Sequence, residues 1–242
     1  MTELPGPDAQ GRLFGIGLGP GDPELITLKA ARLIGSAEVI AYPAPDSGES
    51  FARSIAADLI PDSAEEIPMI VPMRPDRFPA QKVYAEAAEQ IASCLTQGRD
   101  VAVLCEGDPF FYGSFMYLFT RLAGRFPAEI VPGVSSLGAC AAAAARPLVA
   151  RNDVLTVLPG PLPDEALRRR IEAADAVAIM KVGRHLPRLR VLIEEMGLTA
   201  QAFYAERASL PNARALPLAD APAEAPYFSM ILIYRGADPW LS

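Results

Sequence analysis

The chain has one histidine, His185, and three cysteines, Cys94, Cys105 and Cys140, set far apart and without a C-x-x-C pair. With no cluster of such ligands, neither a structural zinc site nor a Cys/His catalytic pair can be assembled. No metal is expected, and the cysteines read as buried structural thiols. G-x-S-x-G is missing, and the one histidine lies far from any candidate serine, so no Ser/His/Asp set can be built. No apolar run reaches the roughly 18 residues that span a bilayer, although 51% of the residues are hydrophobic. The opening "MTELPGPDAQG" lacks the basic and apolar segments of a secretory signal. These absences predict a cytoplasmic protein with no membrane partner. Basic runs are short, the longest being "RRR" at 168–170, and the net charge is −7. A nucleic-acid binder needs a basic stripe to neutralise phosphates, so nucleic acid is not the expected partner.

What the chain does have is alternation. Short apolar runs ending in Gly or Pro read as strands at 13–19, 38–43, 100–107, 128–133, 153–160 and 176–183. Helical patterns lie between them, over 23–37, 80–98, 134–145, 166–174 and 186–197. Asp22 is a cap and Pro23 a first-turn residue for the first of these. Ser135 and Ser136 suit the start of the 134–145 helix. Alternating strands and helices predict a largely parallel α/β sheet over the first half. After Gly197, "AQAFYAERA" and "PYFSMILIYRG" read as strands with no strong helix between them, and 210–226 is Pro/Ala-rich and turn-like. A mixed second domain follows, giving expected boundaries of 1–148 and 149–242 in 242 residues.

The loops after these strands are rich in Gly and Pro: "GLGPGDPE", "YPAPDSGES", "CEGDPFFYGS", "VPGVSS", "LPGPLP" and "MKVGRHLP". Glycine lets a ligand approach the backbone, and proline keeps the loop's polar groups aimed. Ligands of such sheets sit at the carboxyl ends of the strands. A dinucleotide fingerprint fails here, because counting from Gly15 or Gly17 puts Pro20 or Asp22 where the last glycine of G-x-G-x-x-G belongs. G-K-[ST] is absent as well. The acidic loop tip suits a ligand with cationic character or one needing an acceptor. Glu106 and Asp108 read as a cap beside a solvated carboxylate, and His185 as a helix-start residue.

Taken in order, "GIGLGPGDPELITLKAARLI" (15–34), "EGDPFFYGS" (106–114), "VPGVSSL" (131–137) and "AIMKVGR" (178–184) resemble the tetrapyrrole methylase family. Within it, Glu106-Gly107-Asp108-Pro109, "IMKVGRHLP" and "APYFSMIL" are most similar to the branch that methylates precorrin-2 at C20, giving precorrin-3A in cobalamin synthesis. The resemblance implies two α/β domains with the active site in the cleft between them, and S-adenosylmethionine as cofactor. It places cofactor contacts at Pro20, Glu106, Gly107, Asp108, Phe111, Ser135, Ser136, Met180, Lys181 and Ala208. Glu106 and Tyr112 are the candidate proton-handling residues. Asp22 stands on the tetrapyrrole side, and Arg74, Arg77, Arg151 and Arg184 are candidates for the substrate's carboxylates. A homodimer is also implied. Open alternatives are methylation at C11 or C17, a cobalt-containing substrate, a diphthine- or RNA-modifying relative, and a non-catalytic tetrapyrrole carrier.

Overall fold

The computed structural model describes residues 10–71 and 77–236, with side chains throughout except at 77–80. The chain divides into two compact units, Met1–Ser135 and Ser136–Ser242. By this division the second unit begins at Ser136, where the sequence reading began it at 149.

In the first unit, β1 (Leu13–Gly17), β2 (Val39–Ala44), β3 (Glu65–Ile70), β4 (Val101–Cys105) and β5 (Ala128–Val131) form one sheet in the order β3-β2-β4-β1-β5. Every pairing in it is parallel. All five residues of β1 and of β4 are buried, as expected of strands covered on both faces. Helices α1 (Leu28–Gly35) and α2 (Phe51–Ile55) supply Ala30, Ile34, Ala52 and Ile55 to a cluster with Phe14, Ile16, Ile40 and Leu104. Helices α3 (Arg77–Thr96) and α4 (Phe115–Leu122) pack Ile91, Leu95, Phe115 and Leu118 against Leu13, Val39, Val101 and Val103. Successive strand residues point to opposite faces, so Leu13 and Phe14 enter different clusters.

Three local features differ from the sequence expectation, the first being α2, which falls where no helix was expected. The 23–37 helix is in two pieces, because Asp22 caps a single 3-10 turn at Pro23–Leu25 and Thr27 caps α1 afresh by accepting from the Ala30 N–H. Between them Ile26 is extended, at φ −70° and ψ 130°. Strand β3 was not expected, since Pro68 interrupts its pattern. It sits on the sheet's edge, where a missing N–H costs no ladder bond on the open side.

In the second unit, β6 (Leu155–Pro159), β7 (Ala176–Met180), β8 (Ala202–Glu206), β9 (Arg214–Pro217) and β10 (Ser229–Tyr234) run in the order β6-β7-β10-β8-β9. Only β6 and β7 are parallel, so the sheet is mixed, as expected. Strand β9 lies inside the segment read as turn-like. Helices α6 (Asp164–Glu172) and α7 (Leu186–Glu195) bury Leu167, Ile171, Leu189 and Ile193 against Val177, Ile179, Tyr204 and Ile231. The opposite face takes α5 (Ser136–Ala143), whose small side chains Cys140 and Ala141 pack against Ala178, Ala205 and Met230. Among the described residues no helix is long and apolar enough to cross a membrane.

Candidate functional site

Strands β1 and β4 are neighbours, yet the chain leaves β1 toward β2 and leaves β4 toward β5, in opposite directions along the sheet. Such a switch point opens a crevice at the strands' carboxyl ends. Both Gly-Asp-Pro loops start there, and they are joined to each other. The Leu18 N–H donates to the Cys105 carbonyl at 2.9 Å. Beyond it, Gly19 and Gly107 bridge in antiparallel fashion, with bonds of 3.2 and 2.7 Å. Both glycines have positive φ, +78° and +66°.

The loop after β5 closes against this pair. A Cβ on Gly17 would lie 2.4 Å from the Gly133 nitrogen, and one on Gly133 would lie 1.9 Å from the Gly107 carbonyl oxygen. Both clashes are with backbone, which cannot swing aside. On Gly107, by contrast, a Cβ would meet nothing within 4 Å. The bridge therefore offers a bare backbone face to open space, and a ligand can approach it closely.

The two aspartates play equivalent parts. Asp22 accepts from the Glu24 N–H and Asp108 from the Phe110 N–H, each at 2.9 Å. The second oxygen of Asp108 also accepts from the Gly133 N–H at 3.1 Å, tying the β4 and β5 loops. Asp108 thus fixes a turn rather than capping a helix, and Glu106 is not the solvated carboxylate expected beside it, because it is half-buried. Pro20 lies half-buried between Gly19 and Gly21.

Glu106 is the chemically poised member of this group. Burial pushes its carboxyl above the ordinary glutamate value, while its own N–H and that of Ala52, in α2, pull the other way. A carboxyl so raised can hold and release a proton closer to neutral pH. Tyr112 adopts φ +58°, unusual for a residue with a side chain, and its ring meets Phe111 edge-on at 5.2 Å. Phe110 turns back onto Phe119 instead, at 5.1 Å. All three thiols are buried, and burial raises Cys105 and pushes Cys140 up to about 12. His185 ends a 3-10 turn leading into α7, and burial and then Arg188 and Arg184 lower its pKa.

In the second unit the strand ends carry the remaining candidates. Met180 closes β7, and Lys181 follows at φ +57°. Ala208 follows β8, held between Arg207 at +49° and Ser209 at +72°. Such conformations cost about 1–3 kcal/mol each and concentrate at binding sites. Met180 and Ala208 belong to one apolar cluster with Met230 and Cys140. Ser136 opens α5, directly after Ser135. Arg151, at φ +42°, and Arg184 are exposed. Arg74 and the side chain of Arg77 lie outside the described residues. No group of three His, Cys, Asp or Glu able to hold a metal occurs among the described residues.

Sequence reasoning passed over Gly17 and Gly133 as site residues, because their contact joins three distant loops. It also passed over Glu206, whose carboxylate is 3% exposed. The alternation of Tyr204 and Glu206 on one face of a strand was the available signal.

The sequence model of the Tetrapyrrole (Corrin/Porphyrin) Methylases matches residues 12–221 of this chain. The chain is 47% identical over 237 residues to the cobalamin biosynthesis protein CobIJ of Mycobacterium tuberculosis, covering 94% of this chain and 47% of that protein. It thus spans about half the length of that relative. It is 43% identical over 232 residues to a precorrin-2 C(20)-methyltransferase of a Sinorhizobium species, covering 92% of this chain and 95% of the other. Identity to the cobalt-precorrin-2 C(20)-methyltransferase of Salmonella typhimurium is 31% over 229 residues, 93% and 97% of the two chains. Among solved structures, the cobalt precorrin-4 methyltransferase CbiF superposes with a TM-score of 0.69 at 25% identity, covering 94% of this chain and 96% of that one. A uroporphyrin-III C-methyl transferase from Thermus thermophilus, complexed with S-adenyl homocysteine, gives 0.67 at 24% identity, with 93% and 92% covered.

Proposed function

Because this chain belongs to the tetrapyrrole (corrin/porphyrin) methylase family, we propose that it is an S-adenosylmethionine-dependent C-methyltransferase acting on precorrin-2 at C20. The names of the Sinorhizobium and Salmonella relatives support the substrate and position. The observation that carries the reading is the Gly19–Gly107 bridge at the switch point, with its open backbone face beside the half-buried Glu106.

The residues present fit such a cofactor. The uncrowded face of Gly107 admits close contact with polar ligand edges, and Pro20, Glu106, Asp108 and Phe111 stand on the same two loops. The resemblance adds Met180 and Ala208, which share one apolar cluster in the second unit, and Lys181, Ser135 and Ser136 as further contacts. When bound, S-adenosylmethionine supplies a methyl group already activated on a sulfonium. What the protein must add is alignment and exclusion of water rather than a strong base. Methylation of a ring carbon releases a proton, and Glu106, with its raised carboxyl, is placed to hold it. Tyr112 is the second candidate for that proton. The substrate's carboxylates call for guanidinium partners, which we assign to Arg74, Arg77, Arg151 and Arg184, and we read Asp22 as a substrate-side residue.

We further read the protein as cytoplasmic and as a homodimer; light scattering on the purified chain tests the dimer. The function itself is tested with precorrin-2 and S-adenosylmethionine labelled in its methyl carbon, followed by carbon NMR of the product. Label at C20 is expected. Label at C11 or C17 replaces the position while keeping the family. No transfer, together with no binding of S-adenosylhomocysteine, removes the enzyme reading in favour of a carrier. A second reading, cobalt-precorrin-2 as the substrate, has the Salmonella relative behind it; the same assay with the cobalt form separates the two.

A further inference from the structure

At the carboxyl ends of β7 and β8, a buried polar network sits behind the two strained turns. Glu206 is the last residue of β8 and is almost wholly buried, at 3% exposure. Tyr204, two residues earlier on the same face, donates its hydroxyl to Glu206 Oε2 at 2.5 Å. Glu206 Oε1 faces two guanidinium groups, Arg207 and Arg214, each at 3.5 Å. Directly across the ladder stands Ser229, itself buried. Its hydroxyl accepts from the Gly183 N–H at 3.3 Å and donates to the Pro226 carbonyl at 2.7 Å. One set of contacts therefore reaches the exit of β7, the exit of β8, and the starts of β9 and β10.

Even when a buried carboxylate is paired and hydrogen-bonded, its desolvation can exceed the Coulombic gain, so such a group is retained at a stability cost. Its position suggests what that cost supports. Arg207 and Ser209 are both in the left-handed region, at +49° and +72°, although each has a side chain. Conformations of this kind persist only where the surroundings over-determine them. The Glu206–Arg207 pair constrains the first of these residues, and the Arg207 N–H bond to the Phe228 carbonyl, at 2.9 Å, fixes its backbone. The turn so held carries Ala208, packed in one cluster with Met180. Burial, and then the bond to Glu206, raise the Tyr204 hydroxyl above its ordinary pKa, so it stays a donor across the accessible pH range.

We propose that Glu206 is a positioning residue: with Tyr204 and Arg214 it holds the Arg207-Ala208-Ser209 turn in the shape that receives the adenosyl cofactor. This rests on the methyltransferase reading above. Glu206 touches no ligand itself and acts through the backbone of the turn. It sets cofactor affinity rather than the chemical step.

The test is calorimetric titration of the full chain with S-adenosylhomocysteine, alongside kcat and KM for S-adenosylmethionine. Glu206→Gln keeps an acceptor for Tyr204 but loses the charge facing both arginines. A charged hydrogen-bond partner of this kind predicts affinity weaker by about tenfold, with KM raised and kcat kept. Adding Ser209→Gly, which takes positive φ without strain, should recover most of that loss. Equal affinity for Glu206→Gln and the native chain overturns the proposal, as does a double variant no better than the single one. Should Glu206→Gln fail to fold, Tyr204→Phe replaces it, with weaker binding expected and unchanged binding counting against us. If the native chain binds nothing, it is the methyltransferase reading that fails. Amide exchange over residues 207–210 of the ligand-free proteins then still shows whether Glu206 holds the turn: faster exchange in Glu206→Gln supports the clamp, and equal exchange removes it.

Discussion

Gly19 and Gly107, eighty-eight positions apart in the chain, exchange both of their backbone hydrogen bonds, at 3.2 and 2.7 Å. That pair turns two Gly-Asp-Pro loops into one continuous piece of backbone at the end of the sheet.

Gly133→Ala should be the most damaging small substitution in the first unit. Its methyl would lie 1.9 Å from the Gly107 carbonyl oxygen, so the loops must separate to admit it. Overpacking against backbone predicts a loss of about 1–3 kcal/mol or more. Thermal unfolding should show it, and S-adenosylhomocysteine binding should fall further than stability does. Gly107→Ala tests the opposite case, since it has open space but a positive φ. Unchanged binding in both variants would remove this bridge from the site.

Glu106 makes stability depend on pH with a definite sign. Its carboxyl is raised in the folded chain, so the folded state holds that proton more tightly than the unfolded state does. Its contribution is full below the ordinary glutamate value of about 4.3 and is lost as pH rises through the folded value. Glu106→Gln should therefore gain stability relative to the native chain at pH 8 and show no gain at pH 4. Denaturant melts at the two pH values check this. A constant difference would mean that the carboxyl is not perturbed.

All three thiols should be silent to an aromatic disulfide reagent in the native protein, because Cys94, Cys105 and Cys140 are all buried. Denaturation should release three equivalents at once. Rapid modification of even one thiol in the folded state would contradict the packing described for α3, β4 and α5.

Phe115→Ala should cost about 3–5 kcal/mol, the usual range for a fully buried aromatic. The Phe115 ring occupies the space a Cβ on Gly15 would need, 2.4 Å away, so Gly15→Ala in the native background should also destabilise. The two losses should be less than additive in the double variant, because the smaller side chain vacates room for the new methyl. Chemical denaturation of the four proteins gives the coupling directly.

Much of this architecture was legible because a doubly covered parallel strand leaves a plain trace. "VAVLC" and "LFGIG" are unbroken apolar runs, and both are wholly buried strands. Edge strands leave no such trace. Strand β3, with Glu65, Glu66 and Pro68, and β9, which ends on Pro217, are defined by their neighbours rather than by their own composition. The first helix was read too long because Asp22 and Thr27 are both good caps, and periodicity alone does not say that the chain uses each in turn. At the site, Gly/Pro-rich loops could be recognised one at a time. The contact among Gly17, Gly107 and Gly133 depends on the strand order β4-β1-β5, which no local pattern encodes. Glu206 looked like any surface glutamate, since burial of a charge is decided by the partners that fold around it.

The Gly19–Gly107 bridge is made wholly of main-chain atoms, and this separates the shape of the floor it forms from the identity of the side chains on it. Position 106 can be exchanged for another residue without redrawing the hydrogen bonds that define the floor. A saturation library at 106 should therefore yield mostly folded proteins that differ in reactivity, whereas one at 133 should yield mostly unfolded ones. New regiochemistry is best sought by varying the residue beside the bridge and leaving the bridge itself untouched.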